Sequence, residues 1–283
     1  MSLPYSEFPV YIGGIGTTAL PSEVNGYIPA TQASVNYNTN HSPKRKLGTT
    51  IDSTDQFGFQ QALSADISID CVFHTGMLSG LDFLKDVNQD SSVIIQLGSG
   101  VYRDCYATDV SINIDPFAAV TLNASFVSLD PAIDGPISGD SNPYGGSTVP
   151  LDSDAVAYGH TCLIDDNANI LNNTQSQISF TRKYARTPVY GIGSVNASSM
   201  LLDGVEEELT VVSTGLNSLI NFSGQSLSNS LSVSVCGIGG TAAMSQIVDL
   251  IKFDAGSRVL TQSLSTNGGE TLTTSATIKQ IKL

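Results

Sequence analysis

Tryptophan is absent from this chain, and charged residues make up only 13 % of it, about half the usual share. Long surface helices normally draw on Lys and Glu for their solvated faces, so this scarcity argues against a helical protein. Basic residues are scarcer still: 12 Lys and Arg stand against 26 Asp and Glu, a net charge of −14. A surface that grips nucleic acid needs cations to neutralise phosphates, so the balance argues against ordinary DNA or RNA binding. An acidic surface can still serve nucleic acid by not adhering to it. No apolar run approaches membrane-spanning length, and MSLPYSEFPVYIGG lacks the charged n-region and apolar core of a secretory signal. Cys71, Cys105, Cys162 and Cys236 fall without framework spacing, which points to free thiols in a protein made in a reducing cytoplasm. The sequons at Asn123, Asn172, Asn196 and Asn221 are then chance in an Asn- and Ser-rich chain.

Motifs that carry chemistry are equally few. There is no GxSxG elbow, P-loop, HExxH or EF-hand loop. Cys71 with His74, and His160 with Cys162, are metal-ligating types, but their spacings match no familiar pair of zinc knuckles. GIGGTA (237–242) has the outline of a dinucleotide fingerprint, yet too little chain follows it to build the βαβ units such a site needs. Glu206 with Glu208, or Asp165 with Asp166, could supply a carboxylate pair for glycoside hydrolysis, and solvated strand ends explain them equally well. The expectation is therefore no enzyme, no metal and no cofactor.

What the chain does contain is Gly, Ser, Thr, Asn and Asp, the composition of short strands and polar turns, in a length sufficient for two ordinary domains. It also contains itself twice. Ile15–Gly48 lies on Tyr158–Gly191 without a gap, TQASVNY (31–37) falling on TQSQISF (174–180). Further on and in the same order, DISID (66–70) corresponds to ELTVV (208–212) and TLNAS (121–125) to TLTTS (271–275). The segment between the copies, Pro131–Asp154, is rich in Pro, Gly, Ser and Asp and reads as a connector. This predicts a first domain over 1–130, a linker over 131–157 and a second domain over 158–283.

Within each copy the apolar pattern is mostly period-two. The first gives strands at ASVNYNT, ALSADISIDCVF, SVIIQLGS, CYATDVSINID and AVTLNASFVSL, with an amphipathic helix at Gly76–Val87. The second gives ISFTRKY, EELTVVSTG, SLSVSVCG, VDLIKFD, SRVLTQSLST and TLTTSATIKQI, with a short helix around NSLINF. The fold class expected is mainly β, two tandem antiparallel sandwich or barrel domains, each with a short flanking helix.

Half of the cations sit in two equivalent places just beyond the first strand of each copy. Lys44, Arg45 and Lys46 follow VNYNTNHSP, and Arg182, Lys183 and Arg186 lie in ISFTRKYARTPVYG. Two explanations stand: short loops are often charged, or both loops meet an acidic partner surface. On so acidic a protein a second copy is such a partner, and a head-to-tail contact of that kind builds rings and filaments.

A strand, a long loop, a strand pair, one short helix and a closing strand pair resembles the tail tube fold of tailed bacteriophages. VNYNTNHSPKRKLG with ISIDCVF, GMLSGLDFLKDV and CYATDVSINIDPFAAVTLNASFVSL carry the likeness. The resemblance implies a virion structural protein, a tail tube subunit whose sheets join edge to edge around a lumen. With two tube domains per chain it implies a homotrimeric, pseudo-hexameric ring, stacked into a DNA-conducting tube. The six basic residues would be its inter-ring loops. DNA would pass only as cargo, and sheath, tape-measure, baseplate or tail terminator proteins are possible further partners, with no membrane. The weaker match of 216–230 leaves open a trimeric hub or tube initiator, and a two-domain phage adhesin or capsid decoration protein is the other alternative.

Overall fold

The computed structural model describes residues 10–13, 16, 27–28, 30–38, 41–44, 57–60, 64–73, 82–85, 91–98, 100–134, 156–157, 159, 162–166, 175–192, 194, 197–214, 226–227, 230–234, 251–267 and 271–282. In the first half the elements are β1 (Val10–Ile12), β2 (Tyr27–Ile28), β3 (Ala30–Asn38), β4 (His41–Lys44), β5 (Phe57–Gln60) and β6 (Ser64–Val72). These are followed by α1 (Asp82–Lys85), β7 (Val93–Leu97), β8 (Gly100–Ile114) and β9 (Thr121–Asp134). The second half holds β10 (Leu163–Asp166), β11 (Gln175–Tyr190), β12 (Ala197–Thr214), β13 (Leu231–Ser234), β14 (Ile251–Phe253), β15 (Arg258–Asn267) and β16 (Thr271–Lys282).

The protein is mainly β, and one 11-stranded sheet dominates it. Its main path runs β3–β6–β9–β8–β11–β12–β16–β15, every pairing antiparallel. The strands form where the sequence alternates. In SADISIDCV, Ala65, Ile67, Ile69 and Cys71 are buried, while Ser64, Asp66, Ser68 and Asp70 point to the other face. β9, β12 and β16 repeat the alternation in register, so a single apolar face runs across both halves of the chain. A one-residue slip anywhere would turn that face to water, and this is what fixes the register.

Smaller elements cover the apolar face. In the first half β7, β1 and β2 branch from the N-terminal part of β8, and the chain runs from β2 through Pro29 into β3, returning to the opposite margin of the same half. Phe83 of α1 meets Phe126 of β9 edge-on at 5.1 Å. In the second half a separate sheet, β10–β13–β14, carries buried Leu231, Val233, Ile251 and Phe253, and Phe253 meets Phe180 edge-on. Each fully buried aliphatic or aromatic side chain contributes roughly 1.5–3 kcal/mol of burial free energy.

Strands stand wherever periodicity predicts them, with differences at the margins. β9 runs on through Pro131 to Asp134, so the first four residues of the expected linker are strand; 135–155 lie outside the described residues. Ala157 is tied into the first half, its N–H donating to Phe73 O and its carbonyl accepting from Val120 N. Of the expected helix at Gly76–Val87 only Asp82–Lys85 is described, and it is helical; the expected helix around 217–222 lies outside the described residues. The expected polar loop after β3 contains a hairpin, β4–β5, with Lys44 opposite Phe57.

Candidate functional site

The two halves meet where β8 pairs with β11, from Ile114 opposite Ile178 to Asp109 opposite Lys183. The second basic cluster lies here, in the middle of a strand. Sequence reading expects a loop after ISFTRKY, but Tyr184, Thr187, Val189 and Tyr190 sustain the β-pattern and β11 continues to Tyr190. Alternation then separates neighbouring cations.

Arg182 points inward and is 1 % exposed. Its Nε donates to Glu207 Oε1 at 2.6 Å and its Nη1 to the carbonyl of Leu84 in α1, also at 2.6 Å. Burial opposes the charge on Arg182, but its neighbours Tyr184 and Glu207 outweigh burial and hold its pKa above the ordinary value. Glu207 is held in turn by Gln280 Nε2 and, at 3.2 Å, by Lys282 Nζ. Arg186 is half-buried: its Nε donates to Ala107 O at 2.8 Å and its guanidinium lies against the rings of Tyr106 and Tyr184. Lys183 is the exposed member, on the outer face opposite Asp109, whose carboxyl is raised by burial and lowered in part by Lys183. The cluster thus joins the two halves of one chain. Arg182 in particular is committed inside and is not a loop residue. Of the first cluster, Lys44 ends β4, and Arg45 and Lys46 lie outside the described residues.

Beyond Lys183, β11 leaves β8 and continues with β12 as a projecting arm. A register shift at Ala185/Arg186 bends it. Met200 and Ala197 of the arm pack on Tyr106, Val127 and Leu129 of the first half, forming a second small core. Tyr190, Ile192 and Leu201 remain exposed on it.

The outer face of the main sheet is a carpet of short polar side chains, such as Ser68, Asn123, Ser125, Ser111, Thr210 and Thr277. Its charged members include Asp66, Asp70, Asp109, Glu206 and Glu208 on the one hand and Lys183, Lys279 and Arg258 on the other, an acidic excess. Lys279 pairs with Glu206 across β16 and β12. At the β15 end an open groove of about 580 Å³ is lined by Arg258, Leu260, Lys279, Ile281 and Lys282, among others.

Among the described residues β3 pairs only with β6, and β15 only with β16 apart from a single bridge between Ser226 and Arg258. The other chemistry-bearing residues do not converge. Cys71 is buried, its thiol pushed up to about 12 by burial and the neighbouring Asp70 charge, while His74 and His160 lie outside the described residues. Among the described residues no three His, Cys, Asp or Glu side chains gather where they could hold a metal ion. The open margins and the arm are features that sequence reading misses, since neither leaves a compositional mark. Neither a protein-family model nor a curated protein sequence matches the chain.

Proposed function

We propose that the protein is a structural subunit of a phage tail, made of two tandem tube-type β domains, which closes into a trimeric pseudo-hexameric ring and stacks into a DNA-conducting tube. One observation carries the reading. Each half contributes four strands to the main path of the shared sheet, connected in the same order, first–second–fourth–third: β3–β6–β9–β8, then β11–β12–β16–β15. Among the described residues that path ends at β3 and at β15 with margins unpaired but for the Ser226 bridge, and such margins invite association in a lone subunit and disappear in a closed ring. The sheet's covered face forms the core and its open face is polar and acidic, as a lumen passing DNA without holding it would require. Repulsion keeps the cargo hydrated and mobile.

The function resides in assembly, and the residues that matter are those at the margins and on the arms. Negative-stain electron microscopy of the purified protein, with its mass in solution, tests this. Rings of three chains or hollow tubes are expected; a monomer or dimer that never closes at high concentration would remove the reading.

A further inference from the structure

The contact between the two halves inside one chain is a template for a contact between chains. In the first half the margin of β8 opposite β9 receives β11. Among the described residues the matching margin of β15, opposite β16, receives only the bridge from Ser226, and the margin of β3 that matches the β8-facing side of β11 receives no strand. Both members of a junction the chain already builds once are left over.

Burial points the same way. TQASVNY lies on TQSQISF, so Tyr37 stands where Phe180 does; Phe180 is 0 % exposed, but Tyr37 is 44 % exposed. The groove adds a third observation. Val259 lies opposite Ile278 as Cys105 lies opposite Ser128, and Thr261 opposite Thr277 as Tyr106 lies opposite Val127; Lys279 then stands where Leu129 does, and Leu260, the extra residue of a bulge between Val259 and Thr261, borders that place. In the first half that place is covered by the β11–β12 arm. In the second it is the open groove, with Leu260 46 % and Ile281 63 % exposed. The β4–β5 hairpin, lying between β3 and β6 along the chain, is the counterpart of the β11–β12 arm.

We propose that a second copy of this chain pairs its β3 antiparallel with β15 and lays its β4–β5 arm over the Leu260–Ile281 groove, repeating the β8–β11 junction. The inference rests on the ring reading and adds to it a register and an occupant. TLNAS on TLTTS puts Asn267, opposite Thr271, where Asn113 stands opposite Thr121. Asn36 stands where Ser179 does, and Ser179 is opposite Asn113, donating from its Oγ to Asn113 Oδ1 at 2.9 Å. Asn36 of one copy therefore faces Asn267 of the next, Tyr37 faces Thr266 and Asn38 faces Ser265.

Directly opposed Cβ atoms lie about 4.5–5.5 Å apart, within reach of a disulfide or a short bis-maleimide. The full-length N36C/N267C variant, cross-linked at assembling concentration, should run as covalent oligomers on a non-reducing gel. N36C/T261C, displaced along β15 by roughly 20 Å, should not. Each single variant controls for the native thiols. Trimers by mass without the in-register cross-link would overturn this register and leave the ring reading standing. A protein that never oligomerises would overturn both. L260D/I281D, whose changes lie on exposed positions, should keep the wild-type circular dichroism and melting temperature yet lose ring closure; normal rings from it would overturn the groove's occupant.

Discussion

At the scale of single residues, the basic cluster of β11 shows how strand alternation assigns opposite fates to neighbours. Arg182 and Lys183 are adjacent in sequence, but one is sealed into the core and the other stands in water. Removing one member of a buried ion pair leaves an uncompensated charge and typically costs about 3–5 kcal/mol, whereas replacing both by apolar groups is often near neutral. Arg182→Met or Glu207→Leu alone should therefore destabilise strongly in urea unfolding, and the double variant by much less than their sum. A double variant as unstable as the sum would mean that the pair does not act as a unit. Reversing this cluster to Glu would test folding before it tested assembly. Asp109 carries the opposite lesson. Burial raises its carboxyl pKa and Lys183 only partly offsets this, so its ionised form weakens the fold at neutral pH. A raised folded-state pKa gives stability that is present below the unfolded pKa and lost as pH rises through the folded one. Asp109→Asn should raise the thermal midpoint at neutral pH, with the gain fading as pH falls through the carboxylate range; an unchanged or lower midpoint at neutral pH would refute this.

At the scale of elements, β11 and β12 do two jobs along their length. Their inner parts are interior strands of the sheet, and their outer parts form an arm whose backbone bonds are satisfied within the hairpin. The arm is anchored by Met200 and Ala197, while Tyr190, Ile192 and Leu201 remain exposed on it. If the proposed rings stack, exposed apolar side chains on a hairpin suit the contact between rings better than buried or strand-bound cations do. Tyr190→Ser with Ile192→Asp should leave ring mass unchanged and shorten or abolish stacked tubes in electron micrographs. Should the wild-type protein form the proposed tubes, tubes of ordinary length from that variant would exclude the arm as the stacking contact and turn attention to the Lys44 cluster.

At the scale of the whole molecule, the arrangement of charge becomes intelligible. A net charge of −14 is self-repelling and disfavours adhesion to polyanions. The sheet sorts this charge. Arg182, Lys282, Lys279 and Arg186 are engaged with Glu207, Glu206 and the Tyr106 and Tyr184 rings, while Asp66, Asp70, Asp109 and Glu208 lie on the open polar face together with Lys183 and Arg258. Closure of the sheet would gather those carboxylates around one axis, and the ring and cross-linking experiments decide whether it closes.

The sequence by itself determined the strands, since period-two alternation of apolar and polar residues is a local property and survives into the fold at β6, β9, β12 and β16. It also carried the recurrence of TQASVNY, DISID and TLNAS in their second forms, because matched local pattern needs no knowledge of contacts. The surroundings of the six basic residues were not legible. Whether Arg182 ends a strand or lies inside one depends on Leu84 in α1 and Glu207 in β12, distant partners that no local window contains. Only the tertiary structure decided that the halves share one sheet, that β3 and β15 end its main path among the described residues, and that one arm is docked while a groove lies open beside β15. The physical reason is that backbone pairing is blind to side-chain identity: the pattern says which residues form strands, and only packing of the whole chain says which strands are left without a neighbour.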